Sequence, residues 1–185
     1  MNRLSLLILG SWSLLIVSCV GIEPKPPLST VASVDLTRYT GRWYEIARLP
    51  MWFQRHCIAS QATYTLLPNH SIAVHNECLT DSNDTAQADG IATVVDPQTN
   101  AKLSVRFDNF FAKLIGQPRE GNYWILDLDP AYQTALVGTP DRRYLWILSR
   151  TPQLDDALYQ QFVATAQQLG FPVSDLIKAA PRQAR

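Results

Sequence analysis

The sequence lacks a charge excess of either sign. Sixteen Lys and Arg balance sixteen Asp and Glu in 185 residues, for a formal net charge of 0. With no basic surplus to neutralise a phosphate backbone, no nucleic-acid partner is expected. Glycine-rich phosphate cradles are absent, and so is the Gly-x-Ser-x-Gly elbow that exposes a nucleophilic serine. Histidine is scarce: His56, His70 and His75 fall within about twenty positions, and nothing in their spacing promotes a Ser–His–Asp set. Long apolar runs are missing beyond the N-terminus, where residues 4–17 fall short of the ~20 that a membrane-spanning helix needs. No internal repeat or low-complexity tract interrupts the chain. A composition of 46% hydrophobic and 17% charged residues is nevertheless one that folds, and the length suits one domain.

Cysteine is equally sparse, with three in the chain. Arg3 followed by the apolar run 4–17 has the charge and length of a secretory leader over residues 1–18. The run ends in Ile16-Val17-Ser18-Cys19, small residues before a cysteine, which resembles a bacterial lipobox. That resemblance implies cleavage before Cys19 and acylation of its thiol and new amino group. Several acyl chains hold a protein on a membrane where one does not. An ordinary secretory leader with an incidental cysteine is the alternative. An Asp after the cysteine favours the inner membrane in the bacterial sorting rule, so Val20 favours the outer membrane. Residues 19–34 are rich in Pro and small polar types and read as an extended, lipidated tether.

Cys57 and Cys78 are then an even pair in an oxidising compartment and are expected to form a disulfide. Its ring of about 22 residues would stabilise the fold by roughly 3 kcal/mol. A zinc site built from His56, Cys57, His75 and Cys78 is the rival reading. Geometry argues against it, because residues three apart on a strand point to opposite faces. A haem carrier would want an inward histidine on a strand, for which His75 is the candidate. The reading adopted has no metal and no cofactor.

Past residue 34 the chain alternates β-rich runs and turn signals about every ten residues. Residues 35–40 read as a short helical turn leading into Gly41. Strands are predicted over 42–49, 60–67, 71–78, 87–95, 101–108, 122–128, 134–138 and 144–149. Turn residues separate them at Pro68-Asn69-His70, Asp81-Ser82-Asn83-Asp84, Asp96-Pro97, Asp129-Pro130 and Thr139-Pro140-Asp141. Eight strands joined by hairpin-length links form an antiparallel meander. Eight is also the number at which a sheet closes into a barrel able to hold one small ligand. One helix follows, with Leu154, Leu158, Phe162 and Val163 at three-to-four spacing, Asp155 and Asp156 in its first turn, and Gly170 and Pro172 ending it. Its apolar stripe must cover the outside of the barrel. Residues 173–177 make a last short strand or turn. The domain is thus expected over 35–178, with a tail over 179–185. The apolar connection 107–116 reads either as a packed loop or as an apolar rim or patch at the barrel mouth.

Gly41-Arg42-Trp43, at the start of the first strand, matches the Gly-x-Trp signature of the lipocalins. Asp129-Pro130-Ala131-Tyr132 resembles the second motif of that family but lacks its Thr-Asp-Tyr form. The run from Tyr144 to Arg150 resembles the third, whose arginine follows the last barrel strand. The resemblance covers about residues 35–177 and is strongest to the bacterial outer-membrane lipoprotein branch, kin of apolipoprotein D. It implies an all-β fold, an eight-stranded antiparallel up-and-down barrel with one C-terminal α-helix packed outside. It also places Trp43 at the closed base with Arg150 across it, a cation–π contact worth ~0.5–2 kcal/mol. The remaining guanidinium donors can then bind carbonyls of the N-terminal turn. The opposite end becomes the ligand entrance.

The function this resemblance implies is non-enzymatic binding, storage or transport of an amphiphilic lipid, a fatty acid or lysophospholipid, for maintenance of the bacterial envelope. It also allows a homodimer. Side-chain parity selects the ligand contacts. Glu45 shares the face of Trp43 and Ala47 and should point inward above the base, either held by a basic neighbour or touching the ligand. Tyr144 and Trp146 share a face with Leu148 and Arg150. Tyr123, Ile125 and Asp127 alternate against Trp124, Leu126 and Leu128. The sequence leaves open which set faces the cavity; Tyr123 and Trp146 are the preferred lining residues, and Tyr144 and Glu45 complete the expected ligand contacts. Arg106 should face solvent. Two other classes stay open: a lipocalin-fold enzyme acting on a small lipid through a reactive cavity residue, and an interaction protein whose filled barrel presents the loop 107–115.

Overall fold

A computed structural model describes residues 26–108 and 119–180, so Cys19 and most of the apolar connection 107–116 lie outside the described residues. The barrel strands are β1 (Gly41–Arg48), β2 (Cys57–Leu66), β3 (Ile72–Thr80), β4 (Thr85–Val94), β5 (Lys102–Phe107), β6 (Tyr123–Leu128), β7 (Thr134–Gly138) and β8 (Leu145–Ser149). Each pairs antiparallel with the next, and β1 pairs with both β2 and β8, which closes the sheet. This is the expected eight-stranded up-and-down barrel, and closure removes exposed strand edges. His70, Asn83, Asn100, Tyr132 and Arg142 each take a left-handed backbone conformation and fold successive hairpins back.

α1 (Leu36–Tyr39) plugs the base, its first N–H groups capped by the Asp35 carboxylate. α2 (Asp156–Gln168) is capped the same way by Asp155 and is followed by Gly170 at φ +83°. Two apolar layers result. One fills the lower barrel with Trp43, Tyr39, Tyr64, Ile72, Val74, Leu103 and Ile125. The other packs Tyr159, Phe162 and Ala166 of α2 against the outward residues Trp124, Leu126, Leu136, Leu145 and Ile147.

The sheet carries three register shifts: one opens β2 between Cys57 and Ala59, and the other two break the predicted alternation. In β1 the pairing with β8 slips between Glu45 and Ala47. A bulge reverses the side-chain faces beyond it. Ala47 therefore joins the helix-side layer instead of sharing the face of Trp43 and Glu45. In β6 the slip lies between Ile125 and Asp127, so Leu128 packs inside with Ile125 and not outside with Trp124 and Leu126. The strands β2 and β4 also start earlier than predicted. The extra residues of β4, Thr85 and Ala86, are exposed, and those of β2 span a register shift between Cys57 and Ala59, so a hydrophobic pattern does not mark them.

Both ends of the domain reach further than the sequence suggests. Leu28 packs on the helix-side layer. The Val31 N–H donates to the Ile125 carbonyl at 3.0 Å, and the Val34 N–H to the Thr99 carbonyl at 2.7 Å. Within the tether expected over 19–34, Leu28, Val31 and Val34 are thus docked on the barrel. At the other end β9 (Ile177–Lys178) pairs with β1. The Ala179 and Ala180 N–H groups then donate to the carbonyls of Ile46 and Ile58. The C-terminal strip bridges β1 and β2 where their own pairing has ended at Tyr44 and Gln61. Residues 179 and 180 belong to the fold and not to a tail.

Cys57 and Cys78 are joined between β2 and β3, with Cα atoms 5.5 Å apart. His56 pairs with Asp81 and His75 with Asp89, both at the surface. The four residues of the zinc reading are thus dispersed. Among the described residues no group of three or more His, Cys, Asp or Glu side chains converges to hold a metal.

Candidate functional site

The closed base is built on Trp43, which is fully buried. Its indole N–H donates to the Tyr39 carbonyl at 2.8 Å. The Arg150 guanidinium lies over the indole, 3.8 Å from the ring centroid. Its N–H groups donate to the carbonyls of Arg38, Tyr39, Arg42 and Tyr132. One side chain thus ties the last barrel strand to α1, to β1 and to the hairpin after β6. Gly41 permits this: its φ is +93°, and a Cβ there would sit 3.3 Å from the guanidinium.

Above the base the barrel holds one cup of about 960 Å³. That volume is in the range of small-molecule sites. Ile72, Val74, Ala92, Leu103, Val105 and Leu148 give it apolar walls, and Trp52, Phe53, Tyr144 and Trp146 ring the upper part. The floor is polar. Tyr39, Tyr64 and Tyr123 converge there, with the Tyr123 hydroxyl 2.8 Å from that of Tyr39 and 3.1 Å from that of Tyr64. Burial pushes the Tyr39 and Tyr123 phenols well above their ordinary range and that of Tyr64 up to about 12. Removing a phenolate from water disfavours it, so all three are neutral hydrogen-bonding groups at physiological pH.

A second polar cluster stands nearer the mouth. Glu45 and Arg48 form a buried ion pair at 3.3 Å. In a regular strand residues three apart face opposite ways; the β1 bulge is what brings these two together. Gln54, in the turn Trp52–Gln54, donates from its amide to the Glu45 carboxylate at 3.1 Å and to the Ser60 hydroxyl at 3.3 Å. Its amide oxygen accepts from the Trp146 indole N–H at 3.3 Å. Arg48 donates to the carbonyls of Gln54 and Cys57. Burial raises the Glu45 carboxyl above its ordinary value, opposed by Arg48 and Gln54. The cluster holds the Trp52–Gln54 turn, and with it the aromatic rim, onto the barrel wall.

All four residues chosen as ligand contacts, Tyr123, Trp146, Tyr144 and Glu45, line this one cup. Tyr123 settles the face of β6: it points inward while Trp124 packs under α2. Arg106 is exposed, as expected. Tyr39, Tyr64 and Gln54 were missed. Tyr64 was legible from its alternation with Ala62 and Leu66, whereas Tyr39 sits in a four-residue helix whose facing no period reveals. None of the three histidines is among the residues that line the cup.

Comparison with known proteins covers the same residues. The lipocalin-like domain family matches residues 34–181, from the buried Val34 past β9. Temperature-induced lipocalin-1 of Arabidopsis thaliana is 42% identical over 157 residues, covering 83% of each chain. Outer membrane lipoprotein Blc of Escherichia coli K12 is 37% identical over 178 residues, covering 96% of each chain. Among solved structures, apocrustacyanin C2 aligns with a TM-score of 0.62 over 80% of this chain and 81% of its own, at 14% identity, a likeness of fold alone. Topology and sequence agree along the whole domain, and the chain belongs to the lipocalin family.

Proposed function

We propose that this chain is a non-enzymatic carrier or store for an amphiphilic lipid, held on the outer membrane of a bacterial cell by an acylated Cys19. The observation that carries the reading is the cup of about 960 Å³, apolar along its walls and open at an aromatic rim. Burying an acyl chain there gains roughly 25 cal/mol per Å² of apolar surface. A fatty acid or lysophospholipid would lie with its chain inside and its head group at the mouth, touching Tyr123, Trp146, Tyr144 and the Glu45 cluster. The printed name of the Escherichia coli relative, an outer membrane lipoprotein, supports the location, and the leader over 1–18 ending before Cys19 supports the anchor. Envelope maintenance is the role this implies, and a homodimer is compatible with it.

Native mass spectrometry of residues 20–185, followed by extraction of what co-purifies, tests the proposal. The expected result is a retained fatty acid or lysophospholipid on a chain two hydrogens lighter than its reduced mass. The same spectrum reads the oligomeric state. An empty domain whose tryptophan fluorescence is also unmoved by titration with those lipids overturns the carrier reading and favours an interaction protein.

A further inference from the structure

The hydroxyl groups on the cavity floor do not use up their own protons. Tyr39, Tyr64 and Tyr123 bring three O–H donors, and two hydrogen bonds link them. A hydroxyl donates once and accepts twice. However the two bonds are oriented, two protons are consumed and one is left over. If Tyr123 accepts from both neighbours, the spare proton is its own; if it donates to one, that neighbour holds it. Among the described residues these hydroxyls bond to no side chain beyond each other.

Ring packing fixes the cluster in place. Tyr39 stacks on Tyr64 with centroids 5.9 Å apart and leans on Trp43 at 5.1 Å. Tyr64 meets Tyr123 edge-on at 6.2 Å. The hydroxyls therefore have no freedom to swing towards a distant acceptor. Ile72, Val74, Leu103 and Leu148 of the cup wall offer no side-chain acceptor, and the buried amide oxygen of Asn76, which also lines the cup, makes no bond to the hydroxyls. A spare donor in apolar surroundings is stabilised only by an oxygen brought to it.

We propose that this floor is a recognition site for an uncharged oxygen, a hydroxyl or carbonyl, carried at the buried end of a long apolar ligand. The inference rests on the carrier reading and narrows it to lipids oxygenated at the end remote from the head group. A hydroxyl fits best, since it accepts the spare proton and donates its own to a phenol lone pair. A carboxylate fits poorly. The guanidinium under the floor, Arg150, commits four of its five N–H donors to backbone carbonyls and stacks on the Trp43 indole, so the one donor aimed at an anion in the cup is a neutral hydroxyl.

The test compares palmitic acid with 16-hydroxyhexadecanoic acid, which differ by one terminal hydroxyl. Their Kd values on the residue 20–185 domain are measured by tryptophan fluorescence. That domain contains both apolar layers and every barrel strand. The readout is the ratio of the two Kd values in wild type and in the triple variant Tyr39→Phe, Tyr64→Phe, Tyr123→Phe. Hydration of the hydroxyl is common to both proteins and cancels. The triple variant should lose roughly ten-fold of its relative affinity for the hydroxylated lipid. The single variant Tyr64→Phe keeps two hydroxyls, one bond and one spare proton, and should hold the wild-type ratio.

An unchanged ratio in the triple variant, with palmitic acid still bound, overturns the floor site and leaves the carrier reading standing. Neither lipid binding wild type overturns both. If the triple variant does not fold, the infrared stretch of a ¹³C-labelled ketone in bound 15-oxohexadecanoic acid decides. A stretch lowered from its hydrocarbon value to that of a single hydrogen bond supports the site. A stretch at the hydrocarbon or bulk-water value overturns it.

Discussion

The tyrosine cluster makes a residue-scale prediction about pH. In the folded chain burial holds Tyr39, Tyr64 and Tyr123 above the ordinary phenol value of 10, with Tyr64 at about 12. In the unfolded chain they return to about 10. The folded state thus binds more protons than the unfolded state in the interval above pH 10. The stability these neutral phenols support is whole below pH 10 and drains away as pH rises from 10 towards 12. Phenolate absorbance at 295 nm and near-UV circular dichroism, followed together, check this. The expected outcome is that Tyr39, Tyr64 and Tyr123 ionise only as the dichroism is lost. A phenolate signal from these three, identified by their Phe variants, below pH 11 with the dichroism intact would contradict it. The Glu45–Arg48 pair shows the opposite arrangement, a charge kept in the wall at the cost of desolvation, and what it secures is the Trp52–Gln54 turn.

The seam between β5 and β6 is the thinnest join among the barrel elements. Among the described residues its ladder pairs Lys102 with Trp124 and Leu103 with Tyr123, and the Asn122 and Ile125 N–H groups donate to the Leu103 and Ala101 carbonyls. Asn122 extends it with its side chain: the amide oxygen accepts from the Val105 N–H at 2.7 Å and the amide N–H donates to the Val105 carbonyl at 3.0 Å. One side chain thus replaces a peptide unit of the ladder. Asn122→Ala leaves both Val105 groups unpaired and should cost about 1–3 kcal/mol. Urea unfolding reads the loss, and amide exchange at Val105 should quicken by far more than at Val74; equal changes at both sites would sink the local account. This scale also marks where sequence reading stops. Alternation found the eight strands, and it found Tyr144, Trp146 and Tyr123 because β8 and the start of β6 are regular. It failed at Ala47 and Leu128, since a bulge shifts parity without changing composition. It missed the docking of residues 26–34, whose proline content reads as linker although Leu28, Val31 and Val34 each find a barrel partner.

At the scale of the whole molecule, if Cys19 is acylated as proposed, the path of the N-terminal segment sets which end of the barrel meets the membrane. It runs from Val34 at the base, bonded to Thr99, past Ile125, to Pro26. The Pro26 carbonyl accepts from Arg142 at 2.5 Å, in the β7–β8 hairpin that borders the mouth. From Pro26 back to Cys19 is about seven residue steps, a leash of at most roughly 25 Å. The ten-residue β2 spans about 33 Å along its own axis, or roughly 25 Å of barrel height once tilted. A base-down orientation would consume the entire leash before an acyl chain reached the lipid. Mouth-down leaves slack. The mouth carries the side chains for it, with Trp52 48% and Phe53 41% exposed on the rim. Aromatic residues of this kind settle at the boundary between head groups and acyl chains. An acylated chain on vesicles is therefore expected to present its open end to the bilayer and to take its lipid directly from it. Nitroxide labels at Arg55→Cys beside the mouth and Gln98→Cys at the base measure this. The first should gain oxygen accessibility and lose contact with an aqueous nickel reagent, while the second stays fully aqueous. Equal aqueous exposure of both labels would mean that the leash does not orient the barrel, and that lipid reaches the cup through water.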